Sequence, residues 1–213
     1  MEKNPVSAGA TGLRTVIFDI GNVLSAFRWE GFLADKGFDK EMIDRIGNAS
    51  VRTDAWYEFD KGVYSDEEVV ELFVKNDPEI AAEIHKAFDY VEGMVELYPY
   101  AFDWIKGYKD AGYKVYYLSN FSYKAETQCP DSLSFIPMMD GGILSYKVKM
   151  TKPDPKIYEL LLSTYGLKAE ESIFIDDTLR NVEAAEKLGI HGVRFIDQKD
   201  AAAKVSSIIE KCS

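Results

Sequence analysis

The sequence predicts an α/β fold in which a parallel sheet forms the core and an all-helical subdomain is inserted near its start. Three short apolar runs that stop abruptly at polar residues predict buried strands at residues 15–20, 114–118 and 172–175. Helical patterns lie between these runs, and strand, helix and strand in alternation is typical of a parallel sheet. From residue 27 to residue 97 the helical patterns follow one another without a convincing strand, which predicts the insertion.

The later elements carry clear boundary signals. Asp154 is a typical N-cap with Pro155 at the first helical position, and this helix repeats its apolar residues on one face at Ile157, Leu160 and Leu161. The helix after the third strand places apolar residues on one face and ends at Gly189, with Leu179, Val182, Ala185 and Leu188 as those residues. A fourth strand is predicted at 192–195 and a last helix at 201–211.

The inserted segment has its own helix signals, among them a capping box formed by Ser65 and Glu68. Its aromatic residues are numerous enough to supply a separate small core. We therefore divide the chain into a Rossmann-like α/β core at residues 14–26 and 98–213 and a helical subdomain at residues 27–97.

Composition and charge exclude several classes of function. The 213 residues are 46% hydrophobic and 29% charged, which is typical of a globular protein rather than a disordered one. The formal net charge of -11 opposes binding to nucleic acid or to an anionic membrane, so neither is expected as a partner. No apolar stretch reaches the roughly 18 residues of a membrane span, and residues 1–13 lack the apolar segment of a signal peptide, so the sequence predicts a cytoplasmic protein.

Polar side chains gather where the predicted strands end. Asp19 closes the first run, Ser119 and Asn120 follow the second, and Asp176 with Asp177 follow the third. Ligands of an open parallel sheet bind beyond the carboxyl ends of its strands, where these residues are expected. Carboxylates suit Mg²⁺, and Lys152, just before a predicted helix, adds positive charge for phosphate. The set predicts Mg²⁺-assisted phosphoryl chemistry.

Each of these residues also has an ordinary structural interpretation. Asp19 beside Gly21 is compatible with simple turn chemistry, and Ser119-Asn120 with a helix cap. Lys152 is compatible with a solvated surface lysine, and Asp176-Asp177 with capping of the following helix alone. Asn181 either orients the acidic loop or faces solvent.

Four segments taken in order resemble the four motifs of the haloacid dehalogenase superfamily. They are Phe18-Asp19-Ile20-Gly21-Asn22-Val23-Leu24, Leu118-Ser119-Asn120, Lys152-Pro153-Asp154-Pro155-Lys156-Ile157-Tyr158 and Phe174-Ile175-Asp176-Asp177. The helical insert resembles the four-helix-bundle cap of that superfamily, and the features together cover the chain from Thr15 onward. Within the superfamily, the Gly-Asn pair most resembles the branch that includes bacterial glucose-1-phosphate phosphatases.

The resemblance implies a role for each matching residue. Asp19 would be the nucleophile that forms an aspartyl-phosphate, with Lys152 easing its approach to the anionic substrate. Mg²⁺ would be held by Asp19, the Gly21 carbonyl, Asp176 and Asp177, and the phosphoryl group would be bound by Ser119, Asn120 and Lys152. The expected partner is a small phosphorylated substrate, such as a sugar phosphate, and no oligomeric state is predicted.

One position departs from the family pattern. Phosphatases of the superfamily usually carry a second aspartate two residues after the nucleophile as the general acid and base, but this chain has Gly21 there. Losing such a group typically costs about 10²–10⁴-fold in rate, so substrates with poor leaving groups are expected to suffer most. The glycine also leaves open a weakly active phospho-ligand-binding or regulatory protein. A hydrolytic dehalogenase, which needs no metal, is a further alternative, although the paired aspartates argue against it.

Two further expectations concern the insert and the acidic pair. Trp56, Tyr57 and Arg28 are the candidate substrate contacts of the insert. Replacing Asp176 with Ala is expected to abolish metal-dependent activity with little loss of fold, because it removes one charge from an acidic cluster.

Overall fold

The computed structural model describes residues 12–212 and has an α/β architecture. Five parallel strands form one sheet in the order β5-β4-β1-β6-β7, and two short antiparallel strands form a separate ribbon. The strands are β1 (Thr15–Phe18), β2 (Ser25–Phe27), β3 (Val95–Leu97), β4 (Lys114–Ser119), β5 (Gly141–Leu144), β6 (Ser172–Asp176) and β7 (His191–Arg194).

Helices cover both faces of the sheet and fill the insertion. In chain order they are α1 (Trp29–Asp35), α2 (Lys40–Ala49), α3 (Ala55–Lys61), α4 (Asp66–Asn76), α5 (Ala81–Phe88), α6 (Ala101–Asp110), α7 (Tyr123–Gln128), α8 (Ser145–Val148), α9 (Pro155–Tyr165), α10 (Leu179–Lys187) and α11 (Gln198–Lys211). Two predicted helix starts are confirmed: the Asp154 side chain caps α9 at Lys156 N, and the Ser65–Glu68 capping box opens α4. The last helix begins three residues earlier than predicted because Asp197 caps it.

Alternation along β1 builds two cores on opposite faces of the sheet. Val16 and Phe18 face one apolar cluster, whereas Ile17 faces the other. A third cluster contains only residues between 32 and 94 and includes the buried Phe73 and Phe88. This separate core favours the proposed division at residues 27–97, which remains a prediction. Within residues 12–212, no helix combines the length and apolarity that crossing a membrane requires.

The sequence prediction missed three short strands. The expectation of no strand within 27–97 is wrong at one end, because β3 pairs with β2 where the chain enters and leaves the insert. Besides β2 and β3, the strand that was not predicted is β5, whose Gly141 and Gly142 are weak strand formers. A Cβ at either glycine would come within 2.6 Å of an aromatic ring, Tyr165 for the first and Tyr117 for the second. Close packing of these rings therefore requires glycine and hides the strand from residue propensities.

Candidate active site

The carboxyl ends of β1, β4 and β6 meet at one edge of the sheet because the three strands are adjacent and parallel. A cavity of about 220 Å³ opens there between the sheet and the insert. Five of the predicted site residues line it, namely Asp19, Gly21, Asn120, Lys152 and Asp177. The other two, Ser119 and Asp176, are buried at the ends of β4 and β6 and do not line the cavity.

Lys152 is the electrostatic centre of the site. Its Nζ lies 2.9 Å from Asp19 Oδ1 and 2.6 Å from Asp176 Oδ2, and its side chain is 1% exposed. The ammonium also lies 5.4 Å from the centroid of the Phe174 ring. A buried charge is costly unless it is paired, so two carboxylates around one lysine hold it in place. The interpretation of Lys152 as a solvated surface lysine is therefore excluded.

Burial and neighbouring charges alter the protonation of this group. Burial raises the pKa of the Asp19 carboxyl well above its usual range, although the Lys152 ammonium opposes the rise. Asp176 and Asp177 raise that pKa further. Burial by itself lowers the pKa of Lys152, but Asp176 and Asp19 hold it above its ordinary value. Lys152 therefore stays charged, but its single positive charge is not enough to neutralise three carboxyl groups.

Asp176 is held by hydrogen bonds from three directions. Besides Lys152, its Oδ1 accepts from Thr178 N at 2.8 Å, and both oxygens lie 3.1 Å from Asn181 Nδ2. Asn181 is buried, and its own carbonyl accepts from Tyr158 Oη at 2.9 Å. Asn181 therefore orients the acidic loop rather than facing solvent. Thr178, which donates to Asp176, is the N-cap residue of α10. Asp176 therefore fixes the start of that helix and also binds Lys152, so capping alone does not describe its role.

The side chain of Asn120 is committed to Lys152. Its Nδ2 donates to the Lys152 carbonyl at 3.0 Å, and its Oδ1 accepts from Lys152 N at 2.8 Å. One amide hydrogen of Asn120 is left for a ligand. The Ser119 hydroxyl donates to the Asn120 carbonyl at 3.5 Å, and its proximity to the Asp19 carboxyl group lowers the pKa of that group. The cap of α7 is Ser122 and not Ser119 or Asn120, so the helix-cap interpretation of that pair is wrong.

The acidic groups fit a small divalent cation. One carboxylate oxygen from each of Asp19, Asp176 and Asp177 lies within 4.8 Å of the others, a spacing that octahedral Mg²⁺ with ligands at about 2.1 Å spans. Among the described residues the Gly21 carbonyl accepts no backbone hydrogen bond. Among the described residues Asn181 Oδ1 is buried without a hydrogen-bond partner, so one acceptor beside the acidic cluster is still free to bind a ligand.

The insert forms the opposite wall of the cavity. Trp56 and Tyr57 line it, as expected of candidate substrate contacts, and the Arg180 guanidinium lies 4.9 Å from the Tyr57 ring centroid. Arg28 does not line it. Instead Arg28 binds Asp35 and the Gly93 carbonyl at the base of the insert, so the expectation for this residue is wrong.

Three residues that line the cavity were not predicted from the sequence to belong to the site, namely Asn22, Asp60 and Arg180. Asn22, at φ 56°, donates from Nδ2 to Asp177 Oδ2 at 3.1 Å and accepts from Phe27 N, which joins the first loop to the acidic pair. Its signal was the Gly-Asn pair itself, because asparagine tolerates the left-handed conformation. Asp60 and Arg180 gave no such signal. Their position depends on how the insert packs over the sheet.

Several known proteins resemble this chain in sequence over most of its length. The chain is 24% identical over 199 residues to the sesquiterpene phosphatase astK of Aspergillus oryzae, covering 93% of this chain and 98% of that protein. Two other curated relatives are matched over only 19% and 36% of their own length.

Solved structures share the fold. An enzyme of the haloacid dehalogenase (HAD) family from Bacteroides thetaiotaomicron, solved in complex with magnesium and inorganic phosphate, superposes with a TM-score of 0.61 at 22% identity. The match covers 85% of this chain and 93% of that one. The L-2-haloacid dehalogenase of Xanthobacter autotrophicus gives 0.62 at 17% identity, covering 92% and 83%. The family model described as haloacid dehalogenase-like hydrolase matches residues 13–189, and the chain therefore belongs to that family of hydrolases.

Proposed function

We propose that this hydrolase is a Mg²⁺-dependent phosphatase that acts on a small phosphorylated metabolite through an aspartyl-phosphate. The observation that carries the proposal is the convergence of three carboxyl groups and one buried lysine on a cavity at the strand ends. A phosphate monoester needs positive charge around its oxygens and a nucleophile within reach. Lysine and a bound cation together supply that charge in a chain whose net charge is negative.

Each residue has a definite task in this proposal. Asp19 attacks phosphorus, and Lys152 binds a phosphoryl oxygen while it holds the attacking carboxylate. The remaining amide hydrogen of Asn120 donates to the phosphoryl group. The Ser119 hydroxyl, which does not line the cavity in this structure, would turn from the Asn120 carbonyl to the phosphoryl group when substrate binds. Asp176, kept in place by Asn181, fixes the position of Lys152.

The metal would be held by Asp19, the Gly21 carbonyl, Asp176 and Asp177. When bound, Mg²⁺ supplies charge stabilisation for the phosphoryl oxygens. The structure solved with magnesium and inorganic phosphate supports the choice of metal and of ligand class, and the relative named a sesquiterpene phosphatase supports a phosphatase reaction.

The cavity is compatible with a compact substrate whose carbon part meets aromatic side chains. Phe27, Trp56 and Tyr57 lie along it. A sugar phosphate remains the substrate that the sequence resemblance favours, and sugar rings stack well on aromatic faces.

The first prediction is a metal-dependent release of phosphate. Unmodified protein incubated with sugar, alkyl and aryl phosphates is expected to release phosphate with Mg²⁺ and to lose nearly all of that activity with a chelator, because the lysine alone cannot neutralise the cluster. Readdition of Mg²⁺ to the chelated sample is the control for damage by the chelator. Absence of release from every ester contradicts the proposal.

A hydrolytic dehalogenase is the second candidate, favoured by the shared fold with the Xanthobacter enzyme. It uses the same kind of aspartate nucleophile without a metal. Halide release from short 2-haloacids that is unaffected by the chelator distinguishes it from the phosphatase. Tight binding of a phosphate ester without turnover identifies the third possibility, a phospho-ligand-binding protein.

A further inference from the structure

Asp60 is a carboxyl group in the cavity that none of the proposed tasks uses. It lies in the last turn of α3, is partly buried, and lines the same cavity as Asp19 and Lys152. Within residues 12–212 its carboxylate makes no hydrogen bond and no ion pair, and the one charged group that acts on it is the more distant Lys152 ammonium. A polar group left unpaired beside a reaction centre is free to exchange a proton with a ligand.

The helix presents Asp60 together with the substrate-facing aromatic residues. Trp56 and Tyr57 precede it by four and three positions, so the three side chains share one face of α3. All three line the cavity. The carboxyl group therefore belongs to the wall that the insert contributes to the cavity, whereas Asp19 lies at the strand ends. In an in-line displacement the leaving oxygen departs on the side of phosphorus away from the nucleophile, so the insert is the part of the cavity from which a proton for that oxygen would come.

The backbone of Asp60 is fixed to the sheet. Ser145 Oγ donates to the Asp60 carbonyl at 2.6 Å and accepts from Phe121 N at 2.9 Å. Lys149 Nζ adds a hydrogen bond to the Gly62 carbonyl. Phe121 directly follows Asn120, so this contact sets the end of α3 over the loop that also holds Lys152. Asp60 is thus positioned by the core although it lies in the insert.

Its surroundings keep a proton available near neutral pH. Burial raises the pKa of Asp60 to about 7, although the Lys152 ammonium lowers it. The carboxyl end of α3 also disfavours a negative charge. A group of this kind donates and recovers a proton at a useful rate around pH 7.

The other ionisable groups of the cavity are unsuited to this task. Asp19 is the nucleophile, and Asp177 is held by Asn22 in the acidic cluster. The ammonium of Lys152 is paired with two carboxylates, and a guanidinium such as Arg180 does not release its proton in proteins. Tyr57 lies under Arg180.

We propose that Asp60 is the general acid and base of this site, supplied by the insert in place of the carboxyl group that Gly21 lacks. The proposal rests on the proposed phosphatase function. In the first step Asp19 forms a bond to phosphorus, the bond from phosphorus to the leaving oxygen breaks, and that oxygen takes the proton of Asp60. In the second step the oxygen of a water molecule attacks phosphorus while the Asp60 carboxylate takes a proton from that water. The bond between phosphorus and the Asp19 oxygen breaks, which releases phosphate, regenerates the Asp19 carboxylate and restores the protonated Asp60.

This assignment changes the expected dependence on the leaving group. With Gly21 alone, alkyl esters would be far slower than activated aryl esters. With Asp60 protonating the leaving oxygen, the unmodified protein is expected to show a shallow dependence of kcat/KM across para-nitrophenyl, phenyl and butyl phosphates.

The test is the variant Asp60→Asn, which keeps the backbone bond to Ser145. Its kcat/KM for butyl phosphate is expected to fall by about 10²–10⁴-fold, whereas kcat/KM for para-nitrophenyl phosphate changes little because that leaving group needs no acid. Its kcat for para-nitrophenyl phosphate is expected to fall, with a burst of nitrophenol equal to the enzyme present, because water attack now lacks its base. Asp54→Asn, at an exposed carboxyl group just before the same helix, is the matched control and should behave like unmodified protein.

A second variant separates catalysis from a structural effect. A Cβ at Gly21 meets no heavy atom within 4 Å, and the φ of Gly21 lies outside the left-handed region. Gly21→Asp combined with Asp60→Asn is therefore expected to recover most of the lost activity on butyl phosphate. Equal losses on all three esters without a burst, or no recovery in the combined variant, overturn the role of Asp60. If Asp60→Asn keeps the unmodified kcat/KM for butyl phosphate while Asp19→Asn is inactive, the role of Asp60 is overturned and the phosphatase function stands. If the unmodified protein releases no phosphate in a metal-dependent way, both proposals are overturned.

Discussion

Asp19→Asn is expected to lower phosphate release by at least about 10⁴-fold, because an amide oxygen is a poor nucleophile. Among the described carboxyl groups that line the cavity, Asp19 alone forms an ion pair with Lys152, so none of the others is placed to replace it. The measurement is steady-state release of phosphate from an aryl ester with saturating Mg²⁺. The fold should survive, because asparagine has nearly the same shape and Lys152 keeps its bond to Asp176.

Asp54→Asn provides the matched control for this prediction as well, since it makes the same chemical change at an exposed position outside the cavity. Thermal unfolding of both variants shows whether loss of activity reflects loss of structure. Activity of Asp19→Asn within tenfold of the unmodified protein would remove Asp19 from the reaction.

Asp176→Ala is expected to lower the free energy of unfolding by about 3–5 kcal/mol and to abolish activity. Asp176 is fully buried, and its loss leaves Lys152 with one partner and frees the hydrogen-bond donors of Thr178 and Asn181. The geometry therefore reverses the sequence expectation that relief of repulsion would spare the fold. Urea denaturation without metal measures the effect directly.

Asp177→Ala is the comparison for that experiment. Asp177 belongs to the same acidic cluster but is only partly buried and accepts from Asn22 and the Thr178 hydroxyl. It should lose far less stability than Asp176→Ala while it too weakens the response to Mg²⁺. Equal stability of the two variants would show that the hydrogen bonds to Asp176 contribute little.

Much of the core could be predicted because local signals and the final fold agree there. The apolar runs ending at Asp19 and at Asp176 form β1 and β6, and the Asp154-Pro155 signal opens α9. Strand β5 escaped prediction because its glycines are selected by close contact with Tyr165 and Tyr117, which lie far away in the sequence. Propensity describes a residue and its neighbours in the chain, whereas these contacts arise only after folding.

The candidate site divides in the same way. Residues that follow strands were expected together because the ends of parallel strands share one edge. The hydrogen bonds that fix their positions could not be predicted from the sequence, for example the two that join the Asn120 side chain to the Lys152 backbone. Asp60 could not be identified from the sequence, because its place in the cavity depends on the contact of Ser145 with the end of α3.

The proposed reaction depends on an aspartyl-phosphate at Asp19, and this intermediate can be detected directly. Protein mixed with Mg²⁺ and para-nitrophenyl phosphate is quenched in acid within the first turnover, digested with trypsin and analysed by mass spectrometry. We expect one added phosphoryl group on the peptide of residues 15–28, located at Asp19 and absent from Asp19→Asn. Release of phosphate in the first turnover with no phosphoryl group on that peptide at any quench time, in the unmodified protein and in Asp60→Asn alike, would contradict it.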